Sequence, residues 1–425
     1  MYLQKKMNYR KFLLTISLFL SINLASDNQE KSGFMIGYIL GAPENNFSKK
    51  IDKINESNHA IYLEKFDSNY FSSFYIYNSE LHVDQLYLQK QFSKNKLGNF
   101  KLKLGKLSHN FSSIENSLSS GSMIDSGNAF GIPRYLIELT NSYKNINFYF
   151  SLSDGILDKN TINLKRPLIH DKRLYINYNS FSIGFVHNVI WAGEVKDYGK
   201  QPNGLDDYFR VFLGRGGGAD SVITDQPNAL GDAFGMWDFS FKKNIKSAEI
   251  KLYHQTYFED KSGLQFTNRM SQFDGLSGLS LNYKNTNLLF ERLKTTFQGG
   301  NIHPPGIDSY YWNGIYRNGW QFKERIIGNI FLAPDKNRVK VIHVGISTII
   351  NENKFKFFYS DIKKYNISYN GFPPSEIIDL SDDFFDNEIQ KNIYYERKIN
   401  KMDIGLMIEH NQINTNIYFK VNYHL

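Results

Sequence analysis

Apolar and polar residues alternate along most of this chain. Phe100, Leu102 and Leu104 are separated by Lys101 and Lys103, and Ile146, Phe148, Phe150 and Leu152 by Asn147, Tyr149 and Ser151. Leu174, Ile176 and Tyr178 alternate with Tyr175, Asn177 and Asn179; after an Asn179-Ser180 turn, Phe181, Ile183 and Phe185 are interleaved with Ser182 and Gly184. A period of two predicts strands with one apolar and one polar face. The clearest case is the C-terminal segment. Ile413, Thr415, Ile417, Phe419, Val421, Tyr423 and Leu425 share one face, while Asn414, Asn416, Tyr418, Lys420, Asn422 and His424 share the other. This is the pattern of a last strand closing an outer-membrane barrel, with the apolar face toward lipid and the polar face toward the lumen.

Short turns punctuate the strands at Ser153-Asp154-Gly155, Asn179-Ser180, Lys284-Asn285 and Asn351-Glu352-Asn353. Longer links are expected around 106–130, 191–235, 255–277, 299–330 and 364–390. Tight turns on one side and long links on the other fit periplasmic and extracellular ends of a barrel. In lipid, an open sheet edge would leave backbone groups unpaired, so the sheet must close. The stretch from Glu44 to Phe66 differs: Ile51, Ile54, Ala60 and Leu63 recur at roughly helical spacing, which suggests a short helix or a solvated linker.

The N-terminus reads as an address. Lys5, Lys6, Arg10 and Lys11 precede an apolar run from Phe12 to about Leu24, followed by Ala25 and Ser26 and then polar residues. That order is a secretory signal peptide, too short in its apolar part to span a bilayer. The expected division is therefore 1–26 signal peptide, 27–95 an N-terminal segment with a short periplasmic helix and the first strands, and 96–425 the outer-membrane β-barrel. The fold class is all-β, a single antiparallel transmembrane barrel.

Composition narrows the alternatives. The 425 residues contain no Cys, which excludes disulfides, thiolate metal sites, a cysteine nucleophile and a lipoprotein-type anchor. A mean hydropathy of −0.44 excludes a bundle of transmembrane helices. Yet 34 Phe, 28 Tyr and 4 Trp sit in this polar chain, as aromatic girdles on a barrel would require. The net charge of +8 comes from scattered rather than clustered Lys, so no nucleic-acid partner is expected, whereas acidic polysaccharide is a fitting one.

The long links carry unusual clusters. One runs Leu118-Ser119-Ser120-Gly121-Ser122-Met123, Ser126-Gly127-Asn128-Ala129 and Ile132-Pro133. A second contains His187, Trp191-Ala192-Gly193-Glu194, Gly199-Lys200-Gln201-Pro202, Asp206-Asp207-Tyr208-Phe209-Arg210 and Gly214 to Gly218. Further along come Asn228 to Gly231 with Phe234-Gly235 and Asp238, then Gln255, Phe258-Glu259-Asp260, Asn268 and Asp274 to Leu279. The last comprises Phe290-Glu291-Arg292, Thr295 to Gln298, Tyr310 to Trp320 and Ile327-Gly328-Asn329. In this order, from about Gly105 to Gly328, they resemble the Wzi-type capsule assembly family of outer-membrane barrels. The resemblance implies a barrel of about eighteen strands with long loops partly filling the lumen. It also implies a lectin-like, non-catalytic role in holding or organising capsular polysaccharide. The multi-helix segment that plugs better-known enteric members has no strong counterpart here.

Read by chemistry alone, Trp191, Tyr311, Trp312 and Trp320 offer ring faces for sugars, and Glu194, Asp206, Arg210 and Arg317 offer groups for hydroxyls. Packing and an interfacial girdle suit the same aromatics, and mutual pairing of lumen charges, Asp207 and Glu291 included, suits the same ions. Gly216, Gly217 and Gly218 lack the strand–helix context of a dinucleotide fingerprint. A hydrolase could on paper recruit Ser119 or Ser122, His187 and Asp125 or Asn128, but a triad is a matter of geometry. Glu259 and Asp260 are adjacent, so in a strand they point apart and could not flank one glycosidic bond. No catalytic residue, metal or cofactor is expected. A general or anion-preferring porin is the alternative. Other expected partners are outer-membrane lipids, lipopolysaccharide and, through the last strand, the barrel assembly machinery.

Overall fold

The computed structural model describes residues 33–41, 50, 53, 59–95, 98–157, 164–216, 230–258, 274–296, 310–317, 319–333, 337–365 and 385–425. The expected signal peptide and the Glu259-Asp260 pair lie outside these residues.

Eighteen strands form one antiparallel sheet. In chain order they are β1 (Gly33–Leu40), β2 (His59–Phe66), β3 (Tyr70–Tyr77), β4 (Glu80–Asn95), β5 (Gly98–Leu107), β6 (Ile132–Tyr143) and β7 (Ile146–Ile156), then, after the short β8 (Leu164–Lys165), β9 (Leu168–Tyr178) and β10 (Phe181–Trp191). Past β11 (Glu194–Val195), β12 (Gly199–Lys200) and helix α1 (Leu205–Leu213) come β13 (Asp232–Ile245), β14 (Ala248–Phe258), β15 (Gly275–Tyr283) and β16 (Thr286–Lys294). The hairpin β17 (Gln321–Phe322) and β18 (Arg325–Ile326) precedes β19 (Val339–Ile350), β20 (Asn353–Tyr365), β21 (Phe385–Ile399), β22 (Met402–His410) and β23 (Thr415–His424). Each long strand pairs with its neighbour in sequence, and β1 closes the cylinder on β23, with Met35 opposite His424 and Leu40 opposite Phe419. The barrel leaves no free edge, as a sheet in hydrocarbon requires.

The period-two pattern maps onto the wall as expected. On β23, Ile417, Phe419, Val421 and Tyr423 are exposed on the outer surface, while Tyr418 and Asn422 are buried toward the lumen. Leu288 and Phe290 of β16 face out, and Leu289, Glu291 and Leu293 face in. Tyr143, Tyr178, Phe181 and Tyr283 form part of an exposed aromatic edge beside the short turns. Those turns are tight because residues at positive φ start or complete them: Asn179 at 51°, Asn351 at 47° and Glu352 at 66°. At the opposite end the links are mostly long, which marks it as the extracellular side.

Three sequence expectations need correcting: the first is Ser153-Asp154-Gly155, read as a turn, which lies inside β7 because β6 and β9 pair with it on both sides. His59–Phe66 is a strand, not the end of a helix, because Gly33–Leu40 and Phe71–Ile76 pair with it on both sides and pairing overrides weak local spacing. The barrel wall also takes in the strands before residue 96, since β1 to β4 are staves of the same sheet.

Candidate functional site

The link 108–131 turns inward and fills part of the lumen. Small polar residues, Ser119 to Ser122 above all, let its backbone approach the wall closely, where its polar groups need partners, while Leu118, Met123, Ile124 and Phe130 join the core. Inward-facing carboxylates supply them. Glu291 of β16 accepts the Ser120 N–H at 2.9 Å and the Ser120 hydroxyl at 2.7 Å, together with the hydroxyls of Ser119 and Tyr253. Asp238 of β13 accepts the Ser113 N–H at 2.8 Å, the Tyr175 hydroxyl at 2.9 Å, the Gln255 amide at 3.1 Å and the Ser113 hydroxyl. Gln255 in turn accepts the Met123 N–H at 3.0 Å. Ring Nε2 of His343 donates to the Leu118 carbonyl at 2.8 Å. A buried carboxylate is tolerated when several donors converge on it, and these do. The expected pairing of lumen charges with each other is thus replaced, for Glu291, by hydroxyl and amide donors.

A second link, 310–338, locks over the first. The hydroxyls of Tyr257 and Tyr311 both donate to the Met123 carbonyl. Trp320 donates its indole N–H to the Ile124 carbonyl at 2.6 Å, and Asn329 reaches the Gly121 carbonyl at 2.7 Å and Ser120 Oγ at 3.0 Å. Ser126 and Asn128 return bonds of 2.9 Å to the Ile327 and Ile326 carbonyls. Phe234 packs 4.8 Å from Trp320, and Tyr257 4.6 Å from Tyr310. Gly328 has to be glycine, because a Cβ there would lie 1.9 Å from the Tyr311 hydroxyl oxygen.

Charge is compensated locally at the third anchor. Asp171 receives Arg173 through Nη2 at 2.6 Å and Nε at 3.0 Å, and Asn188 at 3.0 Å. His109 sits 3.3 Å from Asp171 and 3.1 Å from the Tyr149 hydroxyl. Burial, with Arg173 beside it, pushes the His109 imidazole below its usual value. Lys53 bridges Asp84 at 2.7 Å and the Ala129 carbonyl at 2.9 Å. Lys50 donates to the Ser119 carbonyl at 3.0 Å; burial lowers it to about 8, with Glu291 opposing the shift.

The candidate sugar contacts divide between inside and outside. Tyr311 and Trp320, both 0% exposed, are inside the inner links. Trp312 is half-buried and Arg317 exposed, with the Arg317 guanidinium 5.8 Å over the Tyr198 ring. The Tyr316 hydroxyl donates to the Ala192 carbonyl at 3.2 Å, so links 192–200 and 310–320 meet at the outer rim. Glu194, on the small sheet of β8, β11 and β12, pairs with Lys165 at 2.8 Å, not with another candidate. Asp206 and Arg210 lie on α1, which packs against outward-facing groups of the wall: Tyr208 donates to Asp154 at 3.1 Å, and Lys172 lies 4.5 Å over the Phe212 ring. Asp207 closes the helix start by accepting the Gly204 N–H at 2.8 Å, Gly214 ends it at φ 63°, and Asp207 lies 3.8 Å from Arg210. Trp191 is buried beside Val189, Ala192 and Val211. The hydrolase candidates are not assembled: Ser119, Ser122, Asp125 and Asn128 belong to the inner link, whereas His187 is on the outer face of β10 beside Gly214.

The anchors Asp238, Gln255, Glu291 and Asn329 were visible in the sequence only as members of clusters. What they hold was not. The sequence profile of the family described as capsule assembly protein Wzi matches residues 43–365, which includes all of them. This chain belongs to the capsule assembly protein Wzi family. Among solved structures, it is similar to Wzi of Escherichia coli, an outer-membrane protein involved in group 1 capsule assembly and described as a carbohydrate-binding β-barrel. The two share 13% identity and a TM-score of 0.62 over 98% of this chain and 88% of that one. A BenF-like porin from Pseudomonas fluorescens is 6% identical with a TM-score of 0.47, over 93% and 98% of the two chains. OccAB4 of Acinetobacter baumannii is 9% identical with a TM-score of 0.45, over 94% and 100%. No curated protein sequence matches the chain. As in the Wzi structure, the wall is an outer-membrane barrel.

Proposed function

We propose that this Wzi-family barrel binds and organises capsular polysaccharide at the cell surface and does so without catalysis. The observation that carries this function is the meeting of two cluster-bearing links at the outer rim, where Arg317 lies over Tyr198 and Tyr316 holds Ala192. Ring faces and charged tips there suit sugar C–H faces and hydroxyl or carboxylate groups. In this proposal Glu194, Asp206, Arg210, Trp312 and Arg317 touch the polymer, and Trp191, Tyr311 and Trp320 hold the surface from beneath. The bonded hydroxyl of Ser119 and its separation from His187 by the wall support a non-catalytic role. A lumen occupied by two interlocked links argues against a general porin. The proposed role also has β23 as the segment read by the barrel assembly machinery.

Deleting the gene and measuring cell-bound against shed capsule tests the function: the shed fraction should rise, and an unchanged cell-bound fraction would sink it. Planar-bilayer recordings test the porin alternative, since a large steady conductance is incompatible with the filled lumen.

A further inference from the structure

On the outside of the wall, between α1 and the upper ends of β4 to β9, lies a groove of about 850 Å³. Leu86, Leu104, Ile156, Leu168 and Leu205 line it. Its polar floor is already engaged, because Asp154 accepts from Tyr135, Tyr208 and the His170 ring. The volume falls within the range of small-molecule sites. Trp191 also lines the groove, and its buried indole N–H has no hydrogen-bond partner among the described residues.

A second cavity of about 670 Å³ shares Leu168 and Asn203 with the first. It is polar and lined by Lys165, Arg166, Lys200 and Glu194. Lys165 and Lys200 stand on either side of Glu194 in the small sheet, opposite it in register. Glu194 neutralises one cation, so the cup keeps an excess of positive charge on Arg166 and Lys200.

The height of this pair of cavities follows from strand geometry. Leu168 and Tyr178 are the two ends of β9. Ten steps of about 3.3 Å, tilted about 40°, raise Leu168 about 25 Å above the aromatic edge at Tyr178, the height of a barrel's apolar band. The groove therefore opens at the outer boundary of the hydrocarbon, and the cup lies at headgroup level. Helix α1 has the matching form: Leu205, Phe209 and Leu213 recur at every fourth position and are 73%, 54% and 54% exposed. An exposed apolar stripe on a helix lying along the wall at this level belongs in the interface.

We infer that the groove and cup together bind one phosphorylated acyl lipid of the outer leaflet, of the lipopolysaccharide type. An acyl chain lies along Leu86, Leu104 and Leu205, and the phosphorylated sugar head is held by Arg166 and Lys200. The acyl carbonyls supply the acceptor that Trp191 lacks. This site adjoins the polymer-binding rim, with Glu194 and Trp191 at the border between them, and it would place the end of a surface glycolipid directly beneath the surface assigned to capsule.

The test uses the full-length mature barrel refolded in neutral detergent, with hexa-acylated bisphosphorylated lipid A as the probe and native mass spectrometry as the readout. Wild type should retain one lipid A, and the dephosphorylated form should bind at least tenfold more weakly. Arg166→Ala with Lys200→Ala should lose about tenfold in affinity, and Leu104→Trp, which fills the groove from the exposed face, should lose retention while the barrel stays resistant to cold SDS. Equal retention by wild type and both variants, indifference to the phosphates, or retention of a lipid-ended capsule glycan but not of lipid A would each overturn the inference. No polysaccharide is present in the lipid A arms, so those results do not depend on the capsule function.

Discussion

Ser120 and Glu291 are 171 positions apart in sequence, yet the serine gives the carboxylate both its N–H, at 2.9 Å, and its hydroxyl, at 2.7 Å. These two hydrogen bonds pin the inner link to the middle of the wall. Glu291→Gln keeps the shape but turns one acceptor into a donor facing Ser119, Ser120 and Tyr253. The expected loss is about 1.5–3 kcal/mol, the range for bonds to a charged group. It should be read as a lower temperature for loss of the folded band on SDS gels, with intermittent current steps in bilayers where wild type is quiet.

Gly328 and Tyr311 test the lock between the two links. Gly328→Ala drives a methyl into the Tyr311 hydroxyl and the Met123 carbonyl, and overpacking of this kind costs about 1–3 kcal/mol. Trypsin should then cut faster at Arg317 and Lys323. Adding Tyr311→Phe removes the clashing oxygen, so the double variant should be cut more slowly than Gly328→Ala alone. Strictly additive effects would show that the contact is not the cause.

His109 predicts an acid limit for the inner link. Its folded value lies below 6.5, so the neutral form stabilises the fold above pH 6.5, and that contribution is lost as pH falls from 6.5 through the folded value. The groups around it are Asp171, Arg173, Arg134, Asp125, Glu138 and Tyr149. Thermal stability followed from pH 7.5 to 5 should drop, and His109→Gln should flatten the drop. An identical pH profile for the variant would remove His109 as the titrating group.

Arg317 and Tyr198 bear on capsule retention. Arg317→Ala combined with Tyr198→Ala should raise shed capsule without lowering the amount of folded barrel in the outer membrane. Binding of purified acidic polysaccharide should also weaken as salt rises, because exposed charges are screened. Retention equal to wild type in the double variant would remove this pair from the contact surface.

The outer face of β23 sets a lipid constraint. Phe419 and Val421 are exposed there, near mid-height of the strand. Phe419→Arg should cost about 2–4 kcal/mol, as for a charge near the bilayer midplane of a barrel. Asn422→Ser, on the lumen side, should cost far less, and urea unfolding in lipid vesicles measures both.

Much of the wall was legible because each strand announces its two faces locally. The alternation at Ile146–Leu152, Leu174–Tyr178 and Ile417–Tyr423 needs no knowledge of partners. The inner links were not legible, because a serine-rich stretch reads as a turn former until a distant carboxylate meets it. Asp238, Gln255 and Asn329 stood out as unusual residues, but only pairings such as Met123 with Gln255 reveal that they grip backbone. Helix α1 escaped notice because its stripe spans only Leu205, Phe209 and Leu213. Its position outside the wall also moved Asp206 and Arg210 away from the lumen, where their charge had placed them. The first strands were obscured by the apparent helical spacing of Ala60 and Leu63.

The seam between β1 and β23 gives the filled lumen a second meaning. The first and last strands can join only after the whole chain has crossed the inner membrane. Ser113, Ser120, Met123 and Leu118 grip β13, β16, β14 and β19, so one short link ties together staves drawn from the later part of the chain. The inner links therefore act as a mandrel. They hold β13, β14, β16 and β19 to one curvature, so a weakened mandrel loosens the wall and unseals the lumen together.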